Sequence, residues 1–319
     1  MTHKKGCPVV YGPVPSRRLG FSLGVDILPF KTCSLDCQYC QLGPTPHTSS
    51  KRRGYGSVSS LVSQIREAVG KGRKIDFITF SGSGEPTLNK KIGRMIKAIQ
   101  KNFSIPVAVL TNSTMLTHRS VRKALRSSDL VVPSLDAATQ DVFVRLNRPS
   151  SNLHIRTMIQ GLKTFQQNFS GQLWLEVMLA KGINDSKEHL KKLKAIIQEI
   201  QPDLIQLNTV VRPPAFPSAA PLSWQDLENV KHFLGEKCEI IADFERKDQS
   251  RQSESTKNDI LTMIRRRPVT LEDLEKSLGR HRNELLKYLD ALKREERIIM
   301  VSHKEKYFYE PASPKTKEK

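Results

Sequence analysis

Three cysteines crowd into one short stretch, Lys31-Thr-Cys33-Ser-Leu-Asp-Cys37-Gln-Tyr-Cys40, with the spacing C-x3-C-x2-C. Thiolates this close on one loop can take three corners of a cubane 4Fe-4S cluster. Such clusters usually have four cysteine ligands, so a set of three leaves one iron open to another ligand. Tyr39 sets an aromatic ring beside the last thiol. Two other readings compete. Zinc favours four tetrahedral ligands, often from paired C-x2-C knuckles. The nearest fourth ligand here is His47, while Cys7 and Cys238 are remote in sequence. A redox pair, Cys37 with Cys40, leaves Cys33 unexplained.

The elements around this loop read as an α/β fold. Strand-like runs cover Ser22–Pro29, Ile75–Ser81, Pro106–Thr111, Leu130–Leu135, Leu173–Ala180 and Leu204–Val211. Helical spacing joins Val58, Leu61, Val62, Ile65 and Val69, and likewise Ile92, Met95, Ile96 and Ile99. Ser186 and Ser223 read as N-caps of two further helices. Strands alternating with helices build a parallel sheet with right-handed crossovers. Six such units fit a partial (β/α)6 TIM-like barrel, whose site lies at the C-terminal ends of the strands. The cysteine loop follows the first of these runs.

The barrel is expected over residues 1–244, followed by a charged, polar linker over 245–257. Residues 258–311 then read as a small winged-helix-like domain. A helix is expected over about Asp259–Arg266. Thr270 caps a second, with Asp273 completing part of a capping box, and Leu285, Leu286, Leu289 and Leu292 lie inward on a third. Two strands, Arg297–Val301 and Lys306–Glu310, join through a turn at Ser302–Glu305. A disordered tail is expected over 312–319. The formal net charge is +20, yet residues 252–319 hold only +4 of it, 16 Lys and Arg against 12 Asp and Glu. The positive excess therefore falls on the barrel. Such an excess attracts phosphate, or it is simply a solvated surface. No apolar run is long enough to span a bilayer, and a clustered rather than scattered cysteine set fits a cytoplasmic protein.

The spacing C-x3-C-x2-C with an aromatic residue before the last cysteine resembles the signature of the radical S-adenosylmethionine (SAM) superfamily. Gly-Pro-Val-Pro-Ser-Arg-Arg-Leu-Gly (12–20) and Ser-Gly-Ser-Gly-Glu-Pro-Thr-Leu (81–88) are similar to phrases in a group of Fe–S oxidoreductases related to wyosine-synthase-like proteins. The resemblance implies that Cys33, Cys37 and Cys40 ligate the cluster and that SAM chelates its open iron. It implies reductive cleavage of SAM, with a low-potential donor such as a ferredoxin or flavodoxin. Ser83, Gly84 and Glu85 match the family's Gly-Gly-Glu-Pro, which holds the SAM amino group, with serine replacing the first glycine.

Further residues at strand ends are candidates for the same site. Asn112 either faces SAM or forms a loop. Ser134 and Asp136 share a strand face; the alternative for Asp136 is capping the next helix. Glu176 is a carboxylate in an apolar run, so it meets a ligand or pairs with a base such as Lys181. Gln206, Asn208 and Thr209 lie on the strand similar to the one that meets adenine. Arg212 addresses substrate or is a surface arginine beside a Pro-Pro turn. Lys51-Arg52-Arg53 steers phosphate or is merely solvated. Arg280, His281, Arg282, Lys287, His303 and Lys304 are the candidate nucleic-acid contacts of the C-terminal part.

Three functions follow. The first is a radical SAM enzyme modifying nucleic acid, with tRNA as the leading candidate. The second is a radical SAM enzyme acting on a protein or small molecule, although no second cysteine set suited to a glycyl-radical activase is present. The third is a zinc or Fe–S regulator without catalysis.

Overall fold

A computed structural model describes residues 8–241, 251–303 and 306–312. The chain divides into two compact units, Thr2–Phe244 and Glu245–Lys319.

The larger unit holds one eight-stranded sheet: β1 (Val9–Ser16), β2 (Gly20–Asp26), β3 (Phe77–Phe80), β4 (Val107–Thr111), β5 (Leu130–Pro133), β6 (Gln172–Leu179), β7 (Leu204–Thr209) and β8 (Cys238–Ile240). Spatial order follows chain order. The strands β2 to β8 are parallel, and β1 pairs antiparallel with β2 at the edge. Helices α1 (Val58–Gly70), α2 (Ile92–Asn102), α3 (Arg119–Leu125), α4 (Gln140–Asn147), α5 (Ile155–Gln166), α6 (Lys187–Ile200) and α7 (Trp224–Leu234) fill the connections. This is the parallel-stranded partial barrel expected, with two strands added outside the six units and three helices, α3 to α5, not marked by the periodicity. Ser186 and Ser223 cap α6 and α7, accepting from His189 N and Asp226 N.

Alternation along each strand separates two faces. Leu23, Val25, Ile78, Phe80, Val107, Val109, Val131, Leu175, Val177 and Leu207 join the main core. The opposite face carries a small apolar floor of Leu19, Ala108, Leu130 and Val132, backed by Phe77, Leu110 and Trp174. Further along the strands that face turns polar. Ser22 donates to Thr79 at 2.7 Å, and Glu176 lies in register with Gln206.

The smaller unit contains α8 (Arg251–Arg266), α9 (Leu271–Leu278), α10 (Arg282–Arg294) and a hairpin of β9 (Ile298–His303) with β10 (Lys306–Pro311). Its core includes Ile260, Ile264, Leu274, Leu285, Leu289, Leu292 and Tyr309. Thr270 and Asp273 form a complete capping box on α9. Of the stretch read as a linker, 245–250 lies outside the described residues and 251–257 is helical, so the helix expected from Asp259 begins earlier. Lys304, Glu305 and residues 313–319 also lie outside them.

Candidate active site

The cysteine loop leaves β2 at Asp26 and is pinned from two sides. The first side is the turn after β3. Lys31 N donates to Ser83 O at 2.6 Å, and Glu85 N donates to Thr32 O at 3.0 Å. A Cβ on Gly84 would stand 1.9 Å from Thr32 O, so only glycine permits this approach. Asp26 receives Ser83 N at 2.9 Å and the Ser83 hydroxyl. The second side is the end of α4. Asp36 N bonds Asn147 O at 3.0 Å, Gln38 N bonds Leu146 O at 2.9 Å, and Arg148 Nε bonds Asp36 Oδ2 at 3.0 Å.

The three thiols are unbridged and partly buried. Each has a nitrogen donor: Asn112 Nδ2 at 3.5 Å from Cys33 Sγ, Asn147 Nδ2 at 3.4 Å from Cys37 Sγ, and Lys31 Nζ at 3.2 Å from Cys40 Sγ. Burial pushes the Cys33 thiol up to about 12, with the neighbouring Cys40 and Glu85 charges adding to the effect. Burial and the Cys33 charge push Cys37 up as well. Neighbouring buried thiols thus resist ionisation unless a cation replaces their protons. Iron supplies that cation, so the donor set fits the cluster. Among the described residues no three His, Cys, Asp or Glu side chains are grouped to hold one metal ion. Ligands of a single tetrahedral zinc, at about 2.3 Å each, would lie within about 4 Å of one another. His47 is exposed.

Glu85 is 2% exposed. Its Oε1 accepts from Thr87 N at 3.1 Å, Thr87 Oγ1 at 2.5 Å and Thr111 Oγ1 at 2.7 Å; its Oε2 accepts from Asn112 N at 2.7 Å. The carboxyl thereby braces the end of β3 against the end of β4. Burial raises its pKa against these four bonds. Asn112 Oδ1 accepts from Thr114 N at 3.1 Å, closing the turn, while its Nδ2 reaches Ser34 Oγ of the cysteine loop at 3.1 Å.

Asp136 does not cap α4, whose N-cap is Thr139. It accepts instead from Tyr39 OH, Asn147 Nδ2 at 2.9 Å and Met178 N at 3.0 Å. Burial raises its pKa to about 6, although these bonds oppose it. Tyr39 therefore faces the end of β5 across the loop, and Asn147 ties tyrosine, aspartate and Cys37 together. Ser134 bridges β5 to β6 opposite Glu176, and its carbonyl accepts from Ser113 Oγ at 2.7 Å.

The base that meets Glu176 is Arg18, from the β1–β2 turn, and not Lys181, which is exposed. Two bonds of 2.9 and 2.7 Å form the fork, with side chains 10% and 14% exposed. Burial pushes Glu176 up, but the Arg18 guanidinium, with Asn208 and Arg17 adding to it, holds the carboxyl below its ordinary value. Asn208 Nδ2 adds a bond to Glu176 at 3.1 Å, and Arg17 reaches Asn208 Oδ1 at 3.4 Å. Gln206 faces Glu239 at 3.0 Å, and its buried Oε1 has no hydrogen-bond partner. Thr209 Oγ1 accepts from Leu222 N at 2.9 Å. Arg212 joins the cysteine loop, donating to Gln41 Oε1 at 2.5 Å. Arg52 is not simply solvated: it binds Thr87 O at 2.8 Å and Ser120 Oγ at 3.3 Å.

Five residues of this site were not read from the sequence: Tyr11, Arg18, Asp26, Lys31 and Asn147. Tyr11 lies over Gly24, where a Cβ would stand 2.1 Å from its ring, and meets Ser81 Oγ at 3.1 Å.

Comparisons with known proteins point to one superfamily. Residues 27–193 match the model of the radical SAM superfamily. A UPF0026 protein of Methanocaldococcus jannaschii is 30% identical over 94% of this chain and 95% of its own. A protein of Brachyspira hyodysenteriae named GTPase Obg is 38% identical over 89% of this chain, which spans only 42% of that protein's length. A protein of Prochlorococcus marinus named Probable dual-specificity RNA methyltransferase RlmN is 26% identical over 56% of this chain and 53% of its own. In fold, a radical SAM methyltransferase from Sphaerobacter thermophilus superposes with a TM-score of 0.54 at 18% identity, over 69% of this chain and 66% of that one. With its thiol trio seated where a parallel-stranded partial barrel places its site, this chain belongs to the radical SAM superfamily.

Proposed function

We propose that this enzyme generates a 5′-deoxyadenosyl radical from SAM and uses it to abstract hydrogen from an RNA substrate. The carrying observation is the trio of partly buried, unbridged thiols on one loop at the C-terminal end of β2. The cluster, when bound, supplies the electron that splits SAM into methionine and the radical, and hydrogen abstraction then gives 5′-deoxyadenosine. Cys33, Cys37 and Cys40 are the ligands that hold it.

The remaining residues orient and shield. Asn112, Asn147 and Lys31 direct N–H groups at the three sulfurs, a device that tunes cluster potential. Ser83, Gly84 and Glu85 fix the loop's entry, and Glu85 Oε2, with a single donor, keeps room to accept from the SAM ammonium. Asp136 orients Tyr39 over the loop. Ser134, Glu176 and Asn208 line the polar face toward the SAM ribose, carboxylate and adenine, with Arg18 setting the charge of Glu176. Arg212 stands at the rim beside Gln41 for substrate. Radical SAM enzymes need a reductant, and a ferredoxin or flavodoxin suits the low potential.

The RNA assignment draws on the positive excess of the barrel and on the likeness to RlmN. The smaller unit, three helices and a hairpin, is read as a winged helix. The test is mass spectrometry of RNA nucleosides from cells with and without this protein. A modified nucleoside present only in its presence is the expected result; identical profiles, with a peptide or metabolite altered instead, would overturn the RNA reading.

A further inference from the structure

A run of basic side chains without an acid lies on α3. The segment His118–Arg126 carries Arg119, Arg122, Lys123 and Arg126 and no acid. These four side chains, with Thr164, Phe165 and Asn168 of the α5 region, line a groove of about 420 Å³. Arg119, Lys123 and Arg126 are exposed. Among the described residues the salt bridges of the larger unit involve none of the four. Arg122 is held in place by Leu116 O at 2.6 Å and Thr117 O at 2.9 Å through Nη1 alone.

Uncompensated guanidinium groups along a concave surface repel one another unless an anion lies between them. Arginine forks suit phosphate oxygens in particular. The smaller unit differs: its Arg280 and Arg282 are spent on Glu284 and Glu275 at 2.6 and 2.9 Å. Contacts run from the start of α3 toward the cysteine loop. Arg52 touches Ser120 at the start of α3, and Ser49 N bonds Cys33 O at 2.9 Å.

We infer that the α3–α5 groove is the phosphate-backbone dock of the RNA substrate, a step that rests on the RNA reading above. Arg119, Lys123 and Arg126 neutralise successive phosphates, Thr164 and Asn168 offer polar contacts, and the strand passes Arg52 toward the cysteine loop. An acidic electron-donor protein is the competing occupant. The groove suits it less, because it lies on the outer helices and electron transfer requires close approach to the cluster.

The test compares Arg119→Glu/Arg126→Glu with Lys187→Glu/Lys191→Glu, an equal charge change on exposed positions of α6. Affinity for an unmodified transfer-RNA transcript is measured against salt. Reduction by flavodoxin and dithionite-driven SAM cleavage are measured in parallel. The expected result is a binding loss of at least tenfold for the groove variant, with its salt slope reduced by about two, one per lost phosphate contact. The α6 variant should stay near wild type, and dithionite-driven cleavage should persist in both. Equal losses in both variants would mean diffuse attraction and overturn the groove. RNA binding untouched in the groove variant would do the same while leaving the RNA reading intact. Loss of flavodoxin reduction alone would give the surface to the protein partner. A wild-type protein that binds no RNA would sink the underlying reading, and the groove with it.

Discussion

Lys31 is the residue whose position is hardest to explain without a cluster. It is buried, its φ is +58°, and its ammonium rests 3.2 Å from Cys40 Sγ. A left-handed lysine is disfavoured and persists where the surroundings demand it. A fixed positive charge beside an iron–sulfur cluster favours the reduced state. In the reconstituted protein, Lys31→Met should therefore move the cluster's midpoint to a more negative potential and Lys31→Arg should restore most of it, read by titration under electron paramagnetic resonance. An unchanged midpoint in Lys31→Met would refute this role. Asp136 gives a pH signature of the apo-protein. Its pKa rises to about 6 by burial, so the folded state binds a proton that the unfolded state releases near pH 4. Stability from this group is greatest below the unfolded pKa and falls as pH climbs through about 6. Asp136→Asn removes that slope: relative to wild type its stability should improve by roughly 2–3 kcal/mol between about pH 4 and pH 6.5, then level off. Urea unfolding across that range checks it. The cysteine trio was legible because it is local in sequence, and the other candidates because they end apolar runs; their partners were not. Glu176 plainly needs a base, yet Arg18 lies 158 positions away. Tyr11 finds Ser81 across 70 positions. Only the fold brings such pairs together.

At the scale of elements, the Ser83–Glu85 turn is as much a scaffold for the cysteine loop as a ligand contact. Gly84→Ala should place a methyl against Thr32 O and loosen the loop, with lower iron retention after reconstitution and a large fall in melting temperature. Gly43→Ala is the control. Its φ is +82° but nothing stands within 4 Å of the added carbon, so it should cost only about 1 kcal/mol and keep its iron. Equal iron retention in both variants would contradict the bracing role. The six central strands were readable from their apolar runs. The edge strand β1 was not, because Gly12, Pro13 and Pro15 interrupt it; proline is tolerated there because an edge strand can forgo a ladder bond. With three residues, β8 is too short for a periodic signal. Helix α8 begins at Arg251, inside a polar stretch whose composition reads as linker, and Lys257, fully buried there against Glu295, shows how packing overrides composition.

For the whole molecule, the partial barrel and the thiol trio converge on one chemistry, which the rest of the chain positions and protects. No helix among the described residues is long and apolar enough to cross a membrane. The most direct measurement is anaerobic reconstitution with iron and sulfide, followed by assay of 5′-deoxyadenosine from SAM under dithionite, in wild type and in Cys37→Ala. The account predicts about four iron and four sulfide per chain with 5′-deoxyadenosine formed in wild type, and loss of both in the variant. One tightly held zinc without a cluster, or SAM cleavage that persists in Cys37→Ala, would contradict it.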